Sequence, residues 1–262
     1  YANAVFDNYE SMNSLSLILG AVYFAFQIYG DFSGYSDIAL GTSKLFGIDL
    51  LKNFNYPYFS RDIAEFWRRW HISLSSWFRD YLYIPLGGSQ GGMWMKVRNT
   101  FIIFLVSGFW HGANWTFIVW GLLNAIYFLP LLLQNKNRSN MGEIEMGWNV
   151  NSVKTILNIL GTFVLTTIAW IFFRAKSISE ALGYIQKMVT DFHFDSQYLS
   201  NERYSFELLF LVLVFVFVEW FNRSKIEPLS GKASWVKVTL AIMALLALGV
   251  YSDYKEFIYF QF

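Results

Sequence analysis

The sequence lacks cysteine and is poor in charged side chains. Without cysteine, the 262-residue chain cannot be a small secreted module that is held together by disulfides. Charged residues make up 15% of the chain, compared with about 25% in soluble globular domains, which is too little charge to cover a water-facing surface. The net charge of +1 gives no support to nucleic-acid binding, so no nucleic-acid partner is predicted.

Apolar residues are abundant instead. Hydrophobic residues make up 55% of the chain and aromatic residues 21%, which excludes an intrinsically disordered protein. These proportions predict an integral membrane protein whose immediate partner is the lipid bilayer.

Stretches without Asp, Glu, Lys or Arg mark the candidate membrane spans. They are 11–30, 99–135, 155–173, 208–218 and 238–252. Because about 20 apolar residues cross a bilayer, the first and third stretches are long enough by themselves. The last two need flanking residues to reach both interfaces.

The stretch 99–135 does not fit one simple span. A single helix of that length would measure about 55 Å at about 1.5 Å per residue, whereas two full spans would leave almost no residues for a turn. Gly108 and Gly112 flank His111 near its middle. We therefore expect one broken or strongly tilted helix, with His111 lining a cavity inside the protein.

The segment 44–98 combines charge with aromatic rings. It contains eight of the twenty basic residues. Charged and aromatic side chains interleave at helical spacing, namely Arg61, Glu65, Arg68 and Arg69 with Phe66, Trp67 and Trp70. Such a segment is too polar to span lipid and too apolar for water, so it predicts an interfacial or re-entrant helix.

The loop 222–237 sets the predicted orientation. It carries four basic residues against Glu227 alone, and short basic loops face the cytoplasm. The segment 174–207 and the C-terminal Phe262 would then lie on the outer side.

The three histidines differ in context. His193 lies in a polar segment with two aspartates, which indicates a solvated loop residue. His111 lies within an apolar stretch, where an ionisable side chain is costly and points to function, although a hydrogen bond that packs two helices is the alternative. His71 is either an anchor at headgroup level or a functional group. Together, His71 and His111 could supply the base and the oxyanion donor that acyl transfer to a hydroxyl requires.

Other catalytic schemes lack their residues. The chain has no cysteine nucleophile and no G-x-S-x-G sequence, and the glycine-rich run 87–92 lacks the lysine of a phosphate-binding loop,, so it predicts a flexible turn. No metal site is predicted, because no acidic ligand pair accompanies His71 or His111.

Several motifs resemble the membrane-bound O-acyltransferases of the alginate O-acetylation type. They are FQIYGDFSGYSDIAL at 26–40, NFNYPY at 53–58, FWRRWHISLS at 66–75, FRDY at 78–81, SGFWHG at 107–112 and FIYFQF at 257–262. The resemblance implies an all-α, polytopic transmembrane fold with interfacial or re-entrant helices around a central tunnel. It also implies His111 as the principal catalytic residue and His71 as the second. Since relatives begin with further transmembrane helices and residue 1 is Tyr, we expect 1–262 to be the C-terminal part of a single domain.

The resemblance further implies the reaction and its partners. The acyl donor would be acetyl-coenzyme A or another cytoplasmic acyl thioester, used as a substrate and not as a bound cofactor. The acceptor would be a hydroxyl of a cell-surface polysaccharide, reached through an extracytoplasmic acetyltransferase partner, and the protein would lie in a bacterial inner membrane. Three alternatives remain open: D-alanyl transfer to teichoic acid, a transporter, and an inactive remnant.

Overall fold

The computed structural model describes residues 1–142, 144, 150–192, 205–225, 228–229, 231 and 234–249. His193 and Phe262 lie outside the described residues. Within those ranges the protein is helical and has no strand, which confirms the predicted all-α fold. The described residues form ten α-helices, namely α1 (Ala2–Asp7), α2 (Ser14–Leu45), α3 (Ile63–Arg69), α4 (Ile72–Phe78), α5 (Gly92–His111), α6 (Trp115–Leu133), α7 (Val150–Arg174), α8 (Ile178–Thr190), α9 (Ser205–Asn222) and α10 (Ser234–Leu248).

Three of the helices are long and apolar enough to cross a bilayer. These spans are Ser14–Leu45, Trp115–Leu133 and Ser152–Arg174. The predicted spans 11–30 and 155–173 are therefore confirmed, although α2 continues well beyond Gly30. Helices α9 and α10 correspond to the two shorter stretches and remain below this length.

Helices α5 and α6 form an antiparallel hairpin, so the prediction of one broken or tilted helix over 99–135 is wrong. Helix α5 begins at Gly92, before the charge-free stretch, and this provides the length for a second helix. Arg98 lies near its start, where its guanidinium donates to the carbonyl of Leu86 at 3.0 Å. The break itself falls where it was predicted, immediately after His111.

Two glycines allow the hairpin backbones to touch. A Cβ added at Gly108 would lie 2.3 Å from the carbonyl oxygen of Phe117, and one at Gly121 would lie 2.2 Å from that of Phe104. Any larger side chain would push the helices apart. Small residues commonly serve this purpose where membrane helices cross.

The segment that follows α2 is broken at Trp70 and His71, between the two short helices α3 and α4. The prediction that it is not a straight span is confirmed. Phe66 and Trp70 are almost completely buried. Glu65 pairs with both Arg61 at 2.9 Å and Arg69 at 2.8 Å. Burial favours a higher pKa for Glu65, but its hydrogen bonds with Arg61 and the charge of Arg69 hold the pKa below its usual value.

Hydrogen bonds between loops define two ends of the helical bundle. At one end, which we call the basic end (46–91, 134–142, 144 and 222–225), Arg61 donates to the carbonyl of Gly142 at 2.7 Å and Arg223 to that of Ile144 at 3.3 Å. At the other, which we call the hairpin end (1–13, 112–114 and 174–178), the Asn114 amide donates to the carbonyl of Lys176 at 3.1 Å. The loop that follows α7 and the basic loop that follows α9 therefore lie at opposite ends, as predicted.

Candidate active site

His71 occupies the break between α3 and α4 in a left-handed backbone conformation. Its φ of 43° and ψ of 57° are rare for a residue with a side chain, and such strain is of the order of 1–3 kcal/mol. The conformation turns the chain sharply, so that Trp70 packs into the core while His71 points to a cavity described below.

Asn53 holds this turn from the loop between α2 and α3. Its carbonyl accepts from the backbone N–H of Ile72 at 2.9 Å. Its side-chain oxygen accepts from the N–H and the hydroxyl of Ser73, at 3.2 Å and 2.6 Å. The N–H groups of Ile72 and Ser73 belong to the first turn of α4, where the helix itself provides no acceptor. The N-cap residue, His71, makes no side-chain hydrogen bond to them. Asn53 therefore caps α4 from outside and fixes the position of His71.

The imidazole of His71 is neutral at neutral pH. It packs edge-on against Phe32, with ring centroids 4.6 Å apart. Burial lowers the pKa of His71 to about 4. Its Nδ1 is buried and has no hydrogen-bond partner among the residues that the structure describes. The ring thus carries an unsatisfied nitrogen and, as described below, lines a cavity.

His111 is the last residue of α5 and lies among aromatic rings. The centroid of its imidazole lies 5.1 Å from that of Phe173, 5.2 Å from that of Trp120 and 5.0 Å from that of Trp110. Gly112 follows directly, and a Cβ at that position would lie 2.7 Å from the ring of Phe117. The helix end therefore places His111 within the protein while the chain turns away.

Both histidines line one cavity of about 250 Å³. The two sequence-predicted residues are thus brought together from separate motifs, and the predicted cavity at His111 is confirmed. Eight Trp, Phe and Tyr side chains form much of the wall: Trp67, Trp70, Phe78, Tyr83, Phe104, Trp120, Phe128 and Trp170. Arg79, Asn137 and Arg138 also line the cavity, so it reaches from His111 to the basic end.

A second depression lies at the hairpin end, next to His111. It has a volume of about 730 Å³ and is lined by residues 112–117 and 173–176. Phe117 and Phe173 belong to this lining, and their rings also lie 6.4 Å and 5.1 Å from the imidazole of His111. These two rings therefore separate His111 from the depression.

Three residues of the site were not predicted from sequence. Trp170 lies in an apolar helix where periodicity does not show which side faces a cavity. Asn53 and Arg138 lie in loops, and their positions depend on contacts between segments far apart in the chain. The presence of Asn53 in the motif NFNYPY was the only available signal.

A sequence profile of the membrane-bound O-acyltransferase family matches residues 8–169. The "Probable alginate O-acetylase AlgI" of Pseudomonas aeruginosa is 38% identical to this chain, over 82% of the chain and 41% of the relative. The "Peptidoglycan O-acetyltransferase" of Helicobacter pylori is 34% identical, over 100% of the chain and 52% of the relative. The "Teichoic acid D-alanyltransferase" of Streptococcus thermophilus is 43% identical, over 41% of the chain and 28% of the relative. The chain spans about half the length of the first two relatives.

Proposed function

Because this chain belongs to the membrane-bound O-acyltransferase family, we propose that it forms the catalytic part of an O-acetyltransferase of a cell-surface polysaccharide. The observation that carries this proposal is the cavity in which His71 and His111 meet. Two histidines in one largely apolar enclosure offer the proton acceptor and the hydrogen-bond donor of acyl transfer.

His111 is the general base of the proposed reaction. It accepts the proton of the acceptor hydroxyl as that oxygen attacks the carbonyl carbon of the acyl thioester. The carbon–sulfur bond then breaks, and the proton passes to the departing thiolate. His71, whose lowered pKa keeps it neutral, orients the acceptor or donates a hydrogen bond to the developing oxyanion.

The donor enters from the basic end. Arg79 and Arg138 line the cavity there, and cationic side chains suit the phosphate groups of acetyl-coenzyme A or of another thioester carrier. The excess of Lys and Arg in the loop 222–237 supports a cytoplasmic location for the same end. The protein would accordingly lie in the inner membrane of a bacterium, with the thioester supplied from inside.

The acceptor approaches from the hairpin end. The depression beside Phe117 and Phe173 lies next to His111 and opposite the donor side. An extracytoplasmic acetyltransferase that presents a hydroxyl there would carry the acetyl group on to the polysaccharide. Relatives named for alginate and peptidoglycan acetylation support a glycan as the final acceptor.

D-alanyl transfer to teichoic acid is the second candidate. It is favoured by the 43% identity to a teichoic acid D-alanyltransferase, but this match covers 41% of the chain, whereas the match to the peptidoglycan O-acetyltransferase covers 100%. A transporter or an inactive remnant would contain the cavity without performing the transfer.

Mass spectrometry of surface glycans tests the proposal. Strains with the intact gene, without it, and with the gene restored are compared for ester-linked groups. We expect O-acetyl groups to disappear on deletion and to return on restoration. Loss of D-alanyl esters instead would establish the second candidate, and unchanged esters would leave a transporter or an inactive remnant.

A further inference from the structure

Trp170 is a buried polar group without an assigned role. Its side chain is 2% exposed, and its indole Nε1 is buried without a hydrogen-bond partner among the described residues. Buried indole N–H groups usually find an acceptor, because an unsatisfied donor costs about 1–3 kcal/mol. A hydrogen-bond acceptor outside the described residues, such as a bound molecule, would satisfy this donor.

Three aromatic rings among the described residues pack against Trp170, and none of them is a hydrogen-bond acceptor. The indole stacks on Trp120 with centroids 5.7 Å apart, and it lies 5.0 Å from Trp70 and 5.3 Å from Phe173. Phenylalanine has no polar atom, and the indole of tryptophan is a donor only. These contacts hold the ring in place, and none of the three neighbouring rings accepts a hydrogen bond from its N–H.

Trp170 and His111 share both their cavity and their neighbours. Both line the same enclosure, and the imidazole of His111 also contacts Trp120 and Phe173. A molecule held in the cavity beside His111 is therefore next to the indole as well.

We propose that the Nε1–H of Trp170 donates a hydrogen bond to the carbonyl oxygen of the acyl thioester. This inference rests on the proposed acyltransferase function and assigns it a further substrate-contacting residue. The hydroxyl oxygen of the acceptor bonds to the carbonyl carbon, and the hydroxyl proton moves to His111. The carbonyl oxygen gains the negative charge, which returns to re-form the double bond as the carbon–sulfur bond breaks. The thiolate takes the proton from His111, and Trp170 keeps its own proton throughout.

A fixed donor of this kind acts mainly on the transition state. Its hydrogen bond strengthens as charge develops on the oxygen, and removal of one such donor lowers kcat by about 100- to 1,000-fold in other acyl-transfer enzymes. Since the donor contributes less to the ground state, KM for the thioester should change little.

The Trp170→Phe variant of the complete protein, assayed in membranes with acetyl-coenzyme A, tests this role. We expect kcat to fall by about 100-fold. Trp94→Phe is the matched control, because Trp94 is 80% exposed and lies outside the cavity lining, and it should keep wild-type activity. A kcat for Trp170→Phe equal to that of the wild type would overturn the inference. Absence of transfer by the wild type would instead overturn the proposed function and this inference with it.

A second variant distinguishes loss of the N–H from the altered packing that Trp170→Phe also causes. Replacing Trp170 with 3-benzothienylalanine keeps the bicyclic shape and puts sulfur where the N–H stands. We expect the same loss of kcat with normal protein yield, whereas full activity would show that Trp170 only packs. With ¹³C-labelled acetonyl-coenzyme A bound, the infrared carbonyl stretch should move to higher wavenumber in both Trp170 variants and stay unchanged in Trp94→Phe. An unshifted band in the Trp170 variants would also contradict the hydrogen bond.

Discussion

The two histidines lie at two helix breaks that are built by different means. At the α3–α4 break, His71 itself takes the left-handed conformation, and Asn53 holds the turn by accepting hydrogen bonds from the N–H and the hydroxyl of Ser73. At the α5–α6 turn, Gly112 takes the special conformation, and aromatic rings surround His111. Hydrogen bonds thus position the imidazole of His71, whereas contacts with aromatic rings position the imidazole of His111. We therefore expect Asn53 to determine the orientation of the His71 side chain, and we expect the role of His111 to depend on the imidazole itself.

Replacement of His111 should produce the largest effect. General acid–base catalysis contributes about 100- to 10,000-fold to rates, so His111→Ala should lose at least about two decades of turnover. His111→Gln keeps a hydrogen-bonding side chain but no base, and it should fail nearly as badly with normal yield. Acetyl transfer and protein yield are measured for both variants. An active Gln variant beside a poorly folded Ala variant would show that His111 is structural.

Replacement of Asn53 should have a smaller effect that passes through His71. Asn53→Ala removes the acceptor for the two donors of Ser73, which should cost about 1–3 kcal/mol of stability and reduce kcat by about tenfold or less. Asn53→Asp keeps an acceptor oxygen and is the matched control. If the Asn53→Asp variant lost as much activity as Asn53→Ala, the hydrogen bonds accepted by residue 53 would not be what positions His71.

The pH dependence of stability should report the buried imidazole at the α3–α4 break. The pKa of His71 is lowered to about 4 in the folded protein from about 6.5 in an unfolded chain. Below about pH 6.5 the unfolded state binds the proton of His71 more readily, so the burial of His71 lowers stability as the pH drops towards 4 and adds no pH dependence above 6.5. In a thermal-unfolding series, His71→Gln should remove this contribution and make the acid limb shallower. An equally steep limb in that variant would exclude His71 as its source.

Much of this architecture could be predicted from sequence because it depends on local composition. Charge-free stretches located α2 and α7, and the glycines around His111 located the break that follows α5. The start of α5 could not be predicted, because this helix begins among charged residues. One of them, Arg98, donates a hydrogen bond to the carbonyl of Leu86 in the preceding loop. The roles of Asn53 and Trp170 also escaped prediction, because each depends on contacts between segments that are distant in the chain.

The orientation of the two ends gives the prediction with the least effect on activity. The structure places Ser224 at the basic end and Ser179 just after the hairpin end, and both are exposed. Since the chain has no cysteine, Ser224→Cys and Ser179→Cys each introduce a single thiol that an impermeant maleimide can report. We expect the thiol at 179 to react in intact cells and the thiol at 224 to react only after the membrane is opened. The loop position Ser230, which lies outside the described residues, should behave like 224. The reverse pattern would place the arginine-lined mouth of the cavity on the outside, and a cytoplasmic thioester could then not enter by Arg79 and Arg138.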